Sequence, residues 1–173
     1  MAEFVGVLQV HGVLPSAQII HARSVQTART RQDVSLVSIA VDRRTRILSP
    51  QGKPIPLRQL MPGMRVRVRG ERRGTSGDVL ASEVRLLSYE IHLRRLRVIG
   101  RAVRSSKTEL VVQIGKRTMR IQRWPGGIRI VGVDAKAFQK RGFAAVPIGA
   151  NLQARGWLLE DDLLLASHLH VMR

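Results

Sequence analysis

Cysteine is absent from this 173-residue chain, which excludes disulfides, thiolate zinc sites and cysteine nucleophiles together. Aromatic residues are scarce, at 3%. Phe4, Tyr89, Trp124, Phe138, Phe143 and Trp157 are all there are, so few side chains are available for bases or sugars to stack on. No apolar run reaches the roughly eighteen residues of a membrane-spanning helix. Met1-Ala2-Glu3-Phe4-Val5 lacks the basic, then apolar, then small-residue order of a signal peptide. No membrane insertion is expected, and the expected compartment is the cytoplasm, or outside it where a leader has been removed. Acidic residues are also few. Asp and Glu total 12 against 30 Lys and Arg, giving a net charge of +18 and an isoelectric point near 11.9. That is well beyond what solubility requires, so a polyanionic partner is the first inference.

The charge is unevenly placed. Residues 1–42 carry three basic and three acidic side chains, residues 43–104 carry sixteen and four, and the remainder eleven and five. Arginine supplies nearly all the positive charge, and lysine only Lys53, Lys107, Lys116, Lys136 and Lys140. A guanidinium forks onto paired phosphate oxygens and lies flat on bases, so this choice suits a nucleic acid better than diffuse surface charge would require. An arginine-biased composition accounts equally well for the Arg-to-Lys ratio, but not for the net charge.

One phrase is written three times: Leu8-Gln9-Val10-His11-Gly12, Val66-Arg67-Val68-Arg69-Gly70 and Leu152-Gln153-Ala154-Arg155-Gly156. Apolar residues two apart with a closing glycine have the period of a half-buried strand entering a turn. Each is followed by a second apolar stretch containing an alanine, at Ala22, Ala81 and Ala166, so the unit reads as a β-hairpin used three times. Gly63 and Gly149 precede the second and third closing glycines by seven positions each, which points to duplication. The expected fold is all-β, with two small OB-like barrel modules in tandem. The first spans residues 1–88 and includes an extra N-terminal hairpin; the second spans residues 95–173. Leu57 to Met61 predicts a helical turn stopped by Pro62-Gly63, Asp134 to Lys140 a short helix, and residues 28–33 a mobile loop.

Thr45-Arg46-Ile47, the run from Pro56 to Gly70, and Gly77-Asp78-Val79-Leu80-Ala81-Ser82-Glu83-Val84 together form a pattern. It comprises a Thr-x-Ile, a Leu-x-x-Leu turn, alternating valines ending at Gly, and a Leu-x-Ala-x-x-Val strand. In this the chain resembles a bacterial family of small β-barrel domains of unknown function. The resemblance covers residues 36–87 well, and residues 96–171 at Val98 to Gly100, Gly149 to Gly156 and Leu165 to Leu169. It implies tandem OB-like barrels, frequent in exported proteins, and no activity.

Three arginine groups are candidates for nucleic-acid binding. In Met64 to Arg69 the valines fall on one face, and Arg65, Arg67 and Arg69 on the other, about 7 Å apart. That is close to the phosphate repeat of an extended single strand. Arg95, Arg97 and Arg101 repeat the pattern. Arg117, Arg120 and Arg123 flank a strand ending at Trp124, where a base could stack among positive charges. A solvated outer face, and a tryptophan covering a barrel end, are the plain alternatives. His168 and His170 share a strand face without a third metal ligand, and Glu160-Asp161-Asp162 reads as a charged turn. No catalytic set, metal site or cofactor motif emerges, so the chain is read as a non-enzyme. The expected function is mostly sequence-independent binding of single-stranded DNA or RNA, or of a duplex, through phosphate contacts. The alternatives are docking on an acidic protein or within a ribonucleoprotein, and binding of an acidic polysaccharide.

Overall fold

The computed structural model of the chain describes residues 2–25, 36–75 and 77–172. The loop expected at residues 28–33 lies outside these. The chain divides into two compact units, Met1–His92 and Leu93–Arg173. Strand makes up 58% of it and the described residues hold one short α-helix, so the fold is all-β. Each unit is a closed five-stranded barrel with its own apolar core.

In the first unit β1 (Ala2–Leu14) pairs with both β2 (Ile19–Ser24) and, after β3 (Leu36–Ala40) and β4 (Arg46–Leu48), with β5 (Arg65–Arg73). β2 continues to β3, and β5 to β6 (Asp78–Leu86). The parallel pairing of Ile39 with Val79 and Ala40 with Leu80 closes the ring. β4 adds to β6 as a sixth, short strand. The second unit repeats this order with β7 (Arg94–Ser105), β8 (Glu109–Ile114), β9 (Arg117–Arg123), β10 (Arg129–Val131), β11 (Asn151–Glu160) and β12 (Leu163–Val171), closing through β9 and β12. Both are five-stranded Greek-key barrels of the OB-like kind.

The alternating valines and leucines fill the interiors: Val10, Ile20, Ile39, Val66, Val68, Val84 and Leu86 in the first unit, Leu110, Val112, Ile121, Leu152, Leu164 and Leu169 in the second. Between the third and fourth barrel strands lies the segment that plugs one end. In the first unit it is the single 3-10 turn Leu57–Gln59 beside buried Leu60. In the second it is α1 (Ala135–Arg141), with Asp134 accepting from the amides of Lys136 and Ala137 at its N-terminus. Phe138 and Phe143 meet there edge to face.

The repeat has a steric origin. Arg69 pairs with Glu83 and Gly70 with Ala81, which leaves Ser82 as a bulge; Arg155 pairs with His168 and Gly156 with Ala166, which leaves Ser167. At these bulges the strands cross so closely that a Cβ on Gly70 would lie 2.1 Å from the Leu80 carbonyl oxygen, and one on Gly156 1.9 Å from that of Leu165. The other near atoms are also backbone, among them Cα of Ala81 at 2.9 Å and of Ala166 at 2.8 Å, so neither glycine position has room for a side chain. Gly63 and Gly149 are equally matched, with φ of 87° and 86°, and donate at 2.7 Å to the carbonyls of Val10 and Ala102.

One expectation is corrected. The N-terminal hairpin is not an addition to the first module but two of its five staves, β1 and β2, and β1 bridges β2 to β5. Its counterpart in the second unit is the β7–β8 hairpin, with matching bulges at His11 and Val103. Gly12 has open space around its missing Cβ, so it is not the equivalent of Gly70 and Gly156. β4 was hidden in the sequence because it is three residues long. Thr45 fastens it, donating at 2.7 Å to the Ala81 carbonyl.

Two outcomes follow. Deletion of residues 1–25 removes one of the two partners of β3 and of β5 and opens the ring, and the first unit is expected to unfold; an unchanged circular-dichroism spectrum and melting temperature would contradict this. Gly156→Ala forces backbone apart at the crossing and is expected to cost roughly 3 kcal/mol, measured by denaturant unfolding, whereas Gly12→Ala costs under about 1 kcal/mol.

Candidate nucleic-acid interface

The barrel alternation turns every second residue outward, and pairing sets those residues side by side. On the first unit Arg65, Arg67 and Arg69 point out from β5, opposite Gln9, Val7 and Val5 of β1. Arg67 also faces Arg85, and Arg69 faces Glu83, on β6. Glu83 is spent on its other neighbours: Arg46 donates to it at 2.8 Å and Arg85 lies 3.6 Å away. Arg67 and Arg69 are exposed and Arg65 is half-buried. The Nε atoms of Arg65 and Arg85 are buried with no hydrogen-bond partner.

On the second unit Arg95, Arg97 and Arg101 point out from β7 with exposed Ile99 between them. This row sits on the first barrel strand and the Arg65 row on the fourth, so the two are not equivalent positions. Across the pairing, Arg97 faces Arg155, Arg95 faces Trp157 and Arg101 faces Asn151. Arg155 then faces His168, which aligns with Arg129 of β10. Arg97 donates to Gln153 at 2.8 Å, and the Arg95 guanidinium lies 5.3 Å from the Trp157 ring centre.

The third predicted group does not come together. Arg120 is on the opposite face of β9 from Arg117 and Arg123, because it lies an odd number of residues from each. Arg117 is exposed at one end of the strand. Arg123 covers the other, 4.5 Å from the Phe138 ring centre and 6.0 Å from that of Phe143. Trp124 is buried at 9% exposure, and its ring packs against that of Trp157 with centres 4.1 Å apart. Little of its ring is left for a base, and what remains lines a pocket together with Arg123 and Phe138.

Arg120 itself is held by carboxylates. It binds Asp162 through two hydrogen bonds of 3.0 Å and Glu160 through a third of 3.0 Å, with Glu109 at 3.9 Å. The Asp162 carboxyl is held below its ordinary value of 3.8 chiefly by the hydrogen bonds from Arg120, which outweigh the opposing effect of burial, with the charge of Arg120 adding a smaller effect. The same bonds push Arg120 further up. The acidic turn Glu160-Asp161-Asp162 therefore acts as a clamp on β9 through Glu160 and Asp162.

Sequence reasoning passed over Arg155, Arg129, Arg85 and Arg46, and considered His168 only as a metal ligand. For Arg155 the signal was present: it precedes Gly156 as Arg69 precedes Gly70. Arg129 and Arg46 join their faces through the short strands β10 and β4; Ile128 to Val131 reads as a strand in the sequence, but three residues do not say which strand they pair with. Comparison with protein-family models, curated proteins and solved structures finds no match, so the site is argued from its own geometry.

The clamp gives a pH test. A carboxylate depressed in the folded state contributes stability that is present above its unfolded value and lost as pH falls through the folded one. Asp162 therefore stabilises the second unit at neutral pH, and this contribution starts to decline as pH falls below 3.8 and is gone only below the lower value of the folded state. Arg120→Gln leaves Glu109, Glu160 and Asp162 without their shared cation. Its melting temperature is expected to fall below wild type at pH 7, with the gap narrowing between pH 7 and pH 3 as Asp162 begins to protonate below 3.8. An equal deficit at both values would assign Arg120 a packing role alone.

Proposed function

We propose that this protein binds nucleic acid through the outward arginines of its barrels, mainly by phosphate neutralisation with little reading of sequence. The observation that carries this is the second unit's outer face. Arg95, Arg97, Arg155 and Arg129 line two adjoining grooves together with His168, and no carboxylate is among the lining residues. Gathering like charges on neighbouring strands costs folding free energy, a cost that a bound polyanion removes. The burial of Trp124 against Trp157 favours backbone contacts over base stacking, as does the low aromatic content. The OB-like barrel adds only an analogy, since that fold carries many functions. The resemblance to the family of tandem barrels of unknown function adds architecture and no activity.

Binding is tested by titrating the full chain against single-stranded DNA, RNA, duplex DNA and heparin at several salt concentrations. The nucleic-acid reading expects preference over heparin at near-physiological salt; equal affinity for heparin would replace it with general polyanion binding. Within it, the Arg65→Gln, Arg67→Gln, Arg69→Gln triple variant is expected to weaken binding to unrelated sequences alike. Its log-log salt slope should be lower by about two to three units, from roughly 0.7 to 0.9 per lost phosphate contact. An unchanged slope in an equally folded variant would reduce the β5 row to a solvated surface.

A further inference from the structure

The two barrels share one outer lattice of positions, and at one row they differ in sign. In the first unit the row crossing the β5–β6 bulge runs Val5, Arg69, Glu83, Arg46. A carboxylate stands between the two arginines and binds one of them at 2.8 Å. The same row of the second unit runs Arg97, Arg155, His168, Arg129. An imidazole replaces the carboxylate, and a third arginine replaces the valine.

Side chains directly opposed on antiparallel strands have Cβ atoms about 5 Å apart, and like charges there oppose folding. The first unit relieves this within its own row; the second does not. The surrounding grooves show the same contrast. Glu3, Asp42 and Glu71 line the first unit's groove at Gly70 and Ser82. The matching groove at Gly156 and Ser167 is lined by Arg95, Arg97, Arg155 and His168, with no acid.

The cationic groove is also ordered from beneath. Gln153 holds Arg97, and the Trp157 ring carries Arg95. The bulged Ser167 places its Oγ 3.4 Å from the Arg155 carbonyl oxygen and 3.0 Å from His168 Nδ1. With Nδ1 so engaged, Nε2 is the ring nitrogen left to reach a ligand. Two guanidinium forks and an imidazole around one recess match the paired oxygens of a tetrahedral phosphate. A phosphate between Arg97 and Arg155 turns their repulsion into two attractions.

We infer that the groove at the second unit's bulge is a phosphate-binding site and that its counterpart in the first unit is not. This deepens the nucleic-acid reading, and rests on it only for the source of the phosphate, since inorganic phosphate and a nucleic-acid phosphodiester share the chemistry. His168 is the position that decides between the two rows. His168→Glu installs the first unit's arrangement, which predicts two changes of opposite kind: a higher melting temperature at low salt and weaker phosphate binding.

The full chain, labelled with nitrogen-15, is titrated with inorganic phosphate and separately with a short single-stranded DNA of mixed sequence. The expected result is saturable movement of the backbone amides of Arg155, Gly156, Ser167 and His168 with both ligands, and none at Arg69, Gly70, Ser82 and Glu83. His168→Glu should weaken both by about tenfold or more and His168→Gln by less, each with the fold retained. No saturable shift with phosphate, or equal shifts at both bulges, overturns the site. DNA binding that leaves residues 155–168 unmoved overturns the site and keeps the nucleic-acid reading. Phosphate binding at the bulge without any DNA binding keeps the site and removes that reading.

Discussion

Each barrel depends on a contact that has room for no side chain. Where the fourth strand crosses the fifth, a glycine lies with its missing Cβ about 2 Å from a partner carbonyl oxygen, at Gly70 over Leu80 and at Gly156 over Leu165. Closing five strands into so small a ring requires sharp coiling, and a bulge beside a glycine supplies it. The bulged residue is serine in both units, with its hydroxyl turned back to the carbonyl of the arginine across the crossing. Every other feature of the units follows from this closure. The alternating valines can face a sealed interior only if the ring is shut, and the residues between them become a fixed outer lattice.

That lattice is used in three ways by one residue type. Arg46 is paired with Glu83 and stitches a short sixth strand to the barrel. Arg120 is surrounded by three carboxylates on two neighbouring segments and closes β9 against the turn before β12. Arg97 and Arg155 face one another, and the groove they line holds no acid. The first two lower the energy of the fold, and the third raises it. That unrelieved repulsion is the ground of the proposed phosphate site.

The comparison between units serves as an internal control. Strand order, the bulges at His11 and Val103 and at Ser82 and Ser167, and the positive-φ glycines Gly63 and Gly149 correspond, so the differences beside them on the surface are not consequences of differing folds. The plug differs: Leu57–Gln59 and Leu60 close the first barrel, whereas the second uses α1 with Phe138 and Phe143. Arg123 lies over both rings, so an arginine that reads as a ligand contact in the sequence is part of that lid.

The sequence by itself determined the strand character, the barrel closures and their duplication. Period-two apolar runs and the paired Gly and Ala spacings are local, and steric demands at a crossing leave a mark that no other residue can satisfy. It also determined that the outer faces are arginine-rich, since alternation alone separates Arg65, Arg67 and Arg69 from the valines between them. Tertiary structure alone decided which arginines are neighbours. Cross-strand register joins Arg97 to Arg155 and Arg155 to His168 across separations of 58 and 13 positions, and nothing in a single stretch encodes that. It likewise decided that the N-terminal hairpin is two staves of a barrel, that Trp124 is covered by Trp157, and that Arg120 belongs to an acidic clamp. These depend on which strands meet when the ring closes, and ring closure is a property of the whole unit.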